Sequence, residues 1–543
     1  MGVKLSSNIK CNEDEFVKYC NKSIPNSMFC NEVGPDEILK IVSNFRNGKS
    51  PGSDHIGPKL LKSCLSELIL PLLYIFNLSF STGTLPNMLK IAKVIPVHKK
   101  GVTTSANNYR PISLLSIFEK ILEKLMYKRV YSFLSKHSVL YNYQFGFRKN
   151  HSTVLALIEL TDSIYKHLDE GDYILGMYFD LQKAFDTVDH KILLKKLYNY
   201  GLRGVVYKWF DDYLTNRQQY VSIGKVASSL NRVTCGVPQG SVLGPLLFLL
   251  YVNDICNAVP GSHVKLFADD TNLFVFGSGL DKLFIDANNS LTLLNDWFRC
   301  NKLSLNVDKT NYSVFSKSGC DVNRHNIVVD GNPLSNVTCV KYLGMFIDNH
   351  LTWSQHIQLI HDKLIKFTSI FYKVRNYMLT DVLKNLYYAF VYPHVLYGIE
   401  LYANTHASYL SKLNSLNNKI LRILQNKSRK CGTICLYNKY NVLPICKLHQ
   451  FQLLCLVHKS VYHSSRLPVV FNNYFTANYS IHDYNTRFKN NLYVSCVQSE
   501  SGKKAVKFKA SQLWNKLPVC VKQIVSIPIF KRELKSFLFR NDI

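Results

Sequence analysis

Residues 263–276 constrain this chain more than any other stretch. Two apolar runs, Val264 to Phe267 and Leu273 to Phe276, flank a polar turn that carries Asp269 and Asp270. The pattern predicts a β-hairpin with both carboxylates at its tip. Adjacent carboxylates repel each other, and a divalent cation held between them and a further acidic group relieves that repulsion. An isolated Asp-Asp pair is more simply a solvated turn, but these flanks pin the pair to a buried sheet edge. A third carboxylate, Asp180, ends the run Tyr173 to Phe179, which is rich in strand formers. If that strand pairs beside the hairpin, Asp180 and Asp269 bracket two Mg²⁺ ions about 3.5 to 4 Å apart, the arrangement for in-line displacement at phosphorus. Phosphoryl transfer is the chemistry to which the pattern points.

Between these carboxylates lies Gly236 to Pro245, a glycine-rich turn that opens an apolar helix to about Asp254. Such a turn lets backbone approach a nucleotide closely. Each piece is weak alone. The ordered set Asp180, then Pro238-Gln239-Gly240, then Phe267 to Asp270, is specific.

Charge agrees with a polyanionic partner. The formal net charge is +29, residues 351–543 hold 27 Lys and Arg against 7 Asp and Glu, and residues 401–482 hold no acidic side chain. Nucleic acid ranks ahead of an anionic membrane surface on that basis. A hydrophobic content of 47% over 543 residues supports a sizeable core and excludes a disordered chain. The fifteen cysteines are odd in number and scattered, which predicts a reducing intracellular compartment, nucleus or cytoplasm, and not secretion. Apolar runs such as Pro245 to Val252 fall short of the roughly 20 residues a membrane helix needs, so no membrane partner is expected. Met1 to Ser6 fits the loose N-myristoylation pattern, which six residues match often by chance.

Taken in order, the chain opens with a polar stretch that includes a helix at about Pro35 to Phe45. A turn-rich loop, Asn47 to Asp54, follows, and helical periodicity resumes over Pro58 to Phe80. A strand from Ala92 runs into the basic turn at Lys99 and Lys100. The segment around Arg110 then leads into a helix from Ser116 to Tyr127. Two cations on paired strands suit an incoming triphosphate, with Arg bidentate and Lys a point charge, although any single Lys is as readily a surface group. Tyr141 to Thr153 interleaves aromatics, a glycine and bases, among them Gln144, Phe147 and Arg148. That mixture suits stacking and phosphate contact along a single strand, or else caps the helix Ser152 to Lys166. Lys309 is either a proton donor to a pyrophosphate leaving group or an exposed lysine. Helical periodicity returns from Ser354 to Arg375, Asp381 to Tyr392 and Ser408 to Gln425, with tyrosines at 387, 388, 392 and 397 that read as packing.

The ordered motifs resemble the palm of reverse transcriptases, and their wording looks like non-LTR retrotransposons (LINE elements) of the Jockey-like kind, from about Lys49 to the C-terminus. The resemblance implies an α/β fold (an α+β palm): a right-hand polymerase with fingers, palm and helical thumb plus a basic C-terminal segment. The implied bounds are 1–84 for an N-terminal extension leading into the fingers, 85–347 for fingers and palm, 348–430 for the thumb and 431–543 for a basic nucleic-acid-binding segment. It implies metal binding by Asp180, Asp269 and Asp270, with two Mg²⁺ and Mn²⁺ as a substitute. Lys99 and Arg110 match the triphosphate-contacting pair, with Lys100 able to replace Lys99. Gln239 and Gly240 would line the nascent base pair, and Gln144, Phe147 and Arg148 would face the template. Phe185 stands five residues after Asp180, where such enzymes place an aromatic that collides with a ribose 2′-hydroxyl. Asp186 is given no metal. Tyr342 to Asp348 reads as a short strand matching the family's primer-grip hairpin, although a tight turn between strands has the same pattern.

The expected partners are an RNA template, a DNA primer or target site, and dNTPs, with no obligate protein partner. Cys431, Cys435, His449 and Cys455 offer zinc ligands, but their spacing departs from tight knuckle patterns and disfavours zinc. Tyr484 to Arg487 and Leu513 to Pro518 look like recurring signatures of the family, without visible chemistry. The acid-poor tail lacks the carboxylates of an RNase H domain, and residues 1–90 lack the Asp, Asn and His set of an apurinic-type endonuclease. The chain therefore reads as the polymerase portion of a longer reading frame. A rival from another class is a catalytically inactive, reverse-transcriptase-derived RNA-binding protein; intact carboxylates favour the enzyme. An intron-maturase-like or telomerase-like polymerase fits the motif wording less well.

Overall fold

The computed structural model describes residues 14–20, 23–317, 324–481 and 489–541. The Met1 to Ser6 pattern and the Tyr484 to Arg487 signature lie outside these residues. The apolar runs around the acidic motifs pair into one five-stranded sheet, in the order Ser335–Asn336, Asn311–Phe315, Tyr173–Phe179, Asp270–Gly277, His263–Phe267. Tyr173–Phe179 is the central strand, antiparallel to both neighbours. Its side chains alternate between two hydrophobic cores, Leu175, Met177 and Phe179 entering one and Ile174 and Tyr178 the other. A strand covered on both faces has to be apolar throughout, as this run is.

Helices cover each face. His190–Asn199, Gly244–Tyr251 and Leu280–Cys300 bury their apolar residues in the first core, and Thr153–Glu170 lies in the second. Gly244–Tyr251 is shorter than the helix to Asp254 that its run of apolar residues suggests, and a 3₁₀ turn at Ile255–Asn257 follows it. A smaller sheet pairs Ile91–His98 antiparallel to Tyr109–Leu114, with Val97 opposite Arg110, and parallel to Gln218–Ile223. Residues 342–348, read as a short strand or as a tight turn between strands, contain the turn and second strand of a hairpin, Cys339–Tyr342 and Met345–Asp348. Leu343 and Gly344 both adopt positive φ, 45° and 82°, the conformation a two-residue hairpin turn requires.

Leu65–Thr82 departs from the expectation that no segment is long and apolar enough to cross a membrane. By length and composition it is, with a mean hydropathy of 1.4, and 22% of it is buried. Glu67, Asn77 and Ser79 interrupt the apolar run, which hides it from a search for unbroken stretches. Leu72, Phe76 and Phe80 seat its inner face in the first core. Such a composition is shared by core helices of globular proteins.

Beyond the hairpin the chain is helical: Ser354–Val374, Thr380–Phe390, Ala407–Leu424, Thr433–Tyr440, Ile445–Tyr462, Val506–Lys516 and Ile527–Arg540. The segment after 430, whose fold the sequence left open, joins the same core as the helices before it. Leu436, Tyr440, Leu448, Trp514 and Phe530 pack in one cluster with Leu364, Phe371, Tyr387 and Ile420. Trp514 of the Leu513 to Pro518 motif is thus a core residue. Tyr387 is 1% exposed, and the neighbouring tyrosines contact one another, so these rings pack inward.

Candidate active site

The central strand ends at Phe179, whose partner across the ladder is Thr271. Asp180 directly follows Phe179 and Asp270 directly precedes Thr271, so both stand at the same end of the paired strands, and Asp269 sits in the turn between Phe267 and Asp270. The tight turn places Ala268 at φ 58°. Both turn carboxylates are open to solvent on one side, yet the cleft shifts them. Desolvation pushes Asp269 up, with the Asp180 charge adding to it, and Lys99 and Arg110 pull it back. Asp270 is pushed up to about 6 by desolvation and then by the charges of Asp269 and Asp180, opposed by Lys99. Three like charges therefore share one field, and the two cations predicted to grip a triphosphate face it.

The three carboxylates do not close into a tight cage. Among the described residues, the one set of three or more His, Cys, Asp or Glu ligand atoms within 4.8 Å of one another is His167, Glu170 and Asp172, on the far end of the helix Thr153–Glu170. Asp180 is turned instead to Asn306 Nδ2, which donates to its Oδ2 at 2.9 Å, and to Lys309 Nζ at 3.3 Å. The Asp180 and Lys309 side chains are 47% and 58% exposed, so water screens that pair and it holds Asp180 loosely. Asn306 also fixes the strand end, its N–H donating to the Asp180 carbonyl at 2.8 Å. Sequence reading passed over Asn306; its only signal is its place in the 304–310 run that carries Lys309.

The loop 141–148 was expected to face the template, and the structure corrects this for two of its residues. Gln144 is 2% exposed. Its Oε1 accepts from Ala268 N at 3.0 Å and Gly146 N at 2.8 Å, clamping the acidic turn. Arg148 is part-buried and donates Nη1 to the Tyr141 and Gln144 carbonyls at 2.7 and 3.2 Å. Both side chains satisfy backbone groups, an obligation of buried polar atoms that no sequence pattern displays. The loop also extends the open edge of the sheet, Phe145 N donating to Leu266 O and Leu266 N to Tyr143 O. Gly146 is required there, since a Cβ would lie 2.3 Å from Ala268 N. Phe147 remains exposed and meets Phe185.

Phe185 stacks on Phe248 with ring centroids 4.4 Å apart, and its carbonyl accepts from Val237 N at 2.9 Å. Its neighbour Asp186 accepts from Gln239 Nε2 at 2.9 Å, so the Gln239 side chain ties its loop to the segment after Asp180. Desolvation raises the Asp186 carboxyl. The Gln239 carbonyl accepts from Ser113 N at 2.7 Å. A buried pair that sequence reading missed supports the same loop from behind. Glu123 Oε2 accepts from Val242 N at 2.8 Å, and Glu119, one helical turn away, pairs with Arg217 at 2.7 Å. Arg110 is exposed on its strand and Lys99 is exposed just past the end of the paired one, with Lys99 N donating to Asn108 O.

Residues 97–347 match the family model described as reverse transcriptase (RNA-dependent DNA polymerase). The chain carries a reverse transcriptase domain. It is similar to the RNA-directed DNA polymerase from mobile element jockey of Drosophila melanogaster, 28% identical over 422 residues, covering 75% of this chain and 45% of that protein. It is likewise similar to the probable RNA-directed DNA polymerase from transposon BS of the same species, at 29% over 405 residues, covering 72% and 44%. A more distant relative is the Pol polyprotein from type-1 retrotransposable element R1 of Bradysia coprophila, at 26% over 342 residues, covering 61% and 33%. The chain spans under half the length of these relatives.

The reverse transcriptase domain match encloses every acidic, basic and aromatic site residue named above, from Lys99 to Lys309. The zinc candidates lie beyond it and do not converge. His449 is buried, its Nε2 on the Glu400 carbonyl at 3.3 Å, with burial lowering it to about 4. Burial pushes the Cys455 thiol up to about 12, and Cys435 is exposed.

Proposed function

We propose that this chain is an RNA-directed DNA polymerase that copies the RNA of a non-LTR retrotransposon into DNA, extending a DNA 3′ end. One observation carries the reading: Asp180, Asp269 and Asp270 converge from the ends of neighbouring strands while Lys99 and Arg110 oppose their charge. Hard carboxylate oxygens crowded at one strand end are a donor set that suits Mg²⁺, with Mn²⁺ as substitute. Asp180, Asp269 and Asp270 would hold it, and the bound ions would supply charge neutralisation at the reacting phosphate.

The remaining residues bind and orient. Lys99 and Arg110 take the triphosphate. Phe185 occupies the space beside the sugar and excludes a 2′-hydroxyl, while the loop 236–242 sets the floor on which the new base pair rests. Lys309 is placed to give a proton to departing pyrophosphate. In the right-hand description, residues 85–347 are fingers and palm, the hairpin Cys339–Asp348 is the primer grip, and 348–430 is the thumb. The basic residues beyond 430 hold nucleic acid. The odd number and scatter of the fifteen cysteines accord with a reducing compartment, nucleus or cytoplasm.

The test is primer extension by the purified chain on an RNA template with dNTPs and Mg²⁺, beside Asp269→Ala. Losing one charged ligand of a phosphoryl-transfer site is expected to lower the rate by about 10³-fold. Equal incorporation by the two proteins refutes the assignment and leaves an RNA-binding protein.

A further inference from the structure

Phe147 is a large aromatic left 53% exposed, and it sits at φ 54°, a left-handed conformation that a bulky side chain avoids unless its surroundings impose it. The surroundings here do. Gln144 and Arg148 lock the loop on either side through the bonds to Ala268, Gly146 and Tyr141 described above. Gly146 lets that loop run flush against the acidic turn. The outcome is that the Phe147 ring meets Phe185 edge-on, with centroids 6.1 Å apart and an interplanar angle of 87°.

Phe185 is thereby held on two sides. Phe248, fully buried in the helix Gly244–Tyr251, lies beneath it in a near-parallel stack at 4.4 Å and 23°. Phe147 closes the open side. An aromatic that excludes a hydroxyl by shape works only if its own rotamer cannot yield, because the energy of a side-chain rotation is small beside that of a steric clash.

We infer that Phe147 is a positioning residue for sugar selection, bracing Phe185 so that it cannot swing aside for a ribonucleotide, and that it is not a template-stacking ring. This rests on the polymerase reading above. It also means that one loop, 144–148, holds the acidic turn with Gln144 and the sugar gate with Phe147.

Single-nucleotide addition separates these possibilities. For the wild-type chain, Phe147→Ala, Phe147→Tyr, Phe185→Val and the double variant, kcat and KM are measured for matched dNTP and rNTP, and RNA-template affinity by filter binding. Phe147→Ala is expected to lower the dNTP preference about tenfold, chiefly by lowering KM for the ribonucleotide, in keeping with discrimination by pocket shape. Phe147→Tyr keeps the preference because its ring still reaches Phe185. Adding Phe147→Ala to Phe185→Val changes nothing more, since the braced group is gone. An unmoved sugar preference with weakened RNA binding overturns the inference in favour of template stacking, and additive effects in the double variant overturn it as well. Failure of the wild-type chain to extend any primer strikes down the polymerase reading and this inference with it. Extension by the wild-type chain with an unchanged preference in Phe147→Ala strikes down this inference alone.

Discussion

Gly240 shows how little room its loop leaves. Its φ is 122°, which L side chains rarely adopt, and a Cβ there would stand 2.5 Å from the Ser113 carbonyl. The close approach is held by Ser113 N donating to Gln239 O. Gly240→Ala is expected to cost about 1–3 kcal/mol in backbone strain alone and to reduce kcat/KM for dNTP at least about tenfold as the loop lifts from the strand. Urea unfolding and steady-state kinetics check the two effects; a variant with wild-type midpoint and wild-type kinetics would show that the loop has slack. At this scale the sequence was informative wherever a residue's chemistry is its signal. Asp180, Asp269 and Asp270 end strand-forming runs, and Gly236 to Gly240 carries glycines that only a constrained turn needs. It was silent where the partner is backbone. Gln144 and Arg148 look like nucleic-acid contacts in a line of text, because nothing there shows that Ala268 N and Tyr141 O are the groups they satisfy. Asn306 was overlooked for the same reason, its partner being a residue 126 positions away.

Among elements, the helix Thr153–Glu170 does more than back the sheet. Two of its carboxylates capture the C-terminal segment. Asp169 accepts from the N–H groups of Gln498 and Ser499, and Asp162 accepts from Val506 N at 2.7 Å, Lys507 N at 2.8 Å and the Tyr474 hydroxyl. Asp162 therefore caps the first turn of Val506–Lys516, where a negative charge also meets the positive end of the helix dipole. Desolvation nonetheless outweighs these donors and pushes Asp162 up to about 6. An unfolded-chain aspartate titrates near about 4, so between roughly pH 4 and 6 the native state keeps a proton that the unfolded state has released. Stability then falls as pH rises through that window and levels off above it. Asp162→Asn is expected to remove this part of the pH slope and to cost about 1–3 kcal/mol through its lost acceptor. Urea midpoints of the two proteins from pH 4.5 to 7.5 measure both, and parallel curves would exclude Asp162 as the titrating group. The strands around this helix were legible as short apolar runs of strand formers, and Ser354–Val374 from its helical period. Helix ends were not: Gly244–Tyr251 is apolar on every side, so nothing in its pattern marks where it stops.

In the whole molecule, the two cores meet across the sheet, and the second one decides how the chain can be divided. The sequence marks the region beyond 430 chiefly by its charge, which suggests an appendage. Its apolar residues say otherwise once placed. Leu436, Tyr440, Leu448, Leu454, Trp514 and Phe530 belong to one cluster with Leu413, Ile420 and Leu424, and polar bonds cross the same line: Gln425 Nε2 to Leu436 O at 2.8 Å and Tyr440 Oη to Leu424 O at 3.1 Å. Ile445–Tyr462 distributes its apolar side chains around much of its circumference, which conceals a core helix from a search for one apolar stripe. Basic side chains on this body are accordingly carried by a rigid support and not by a flexible tail. Ending the chain at residue 430 would leave the retained helices facing water. Each large apolar residue so exposed forfeits about 1.5–3 kcal/mol, and a handful of them exceeds the roughly 5–15 kcal/mol by which a domain is stable. Such a truncation is expected to be aggregated or to unfold without cooperativity, while the full chain melts cooperatively. A truncated protein that stays monomeric by sedimentation, melts sharply and still extends a primer would show that the polymerase core is complete by residue 430 and that the segment after it is an attachment.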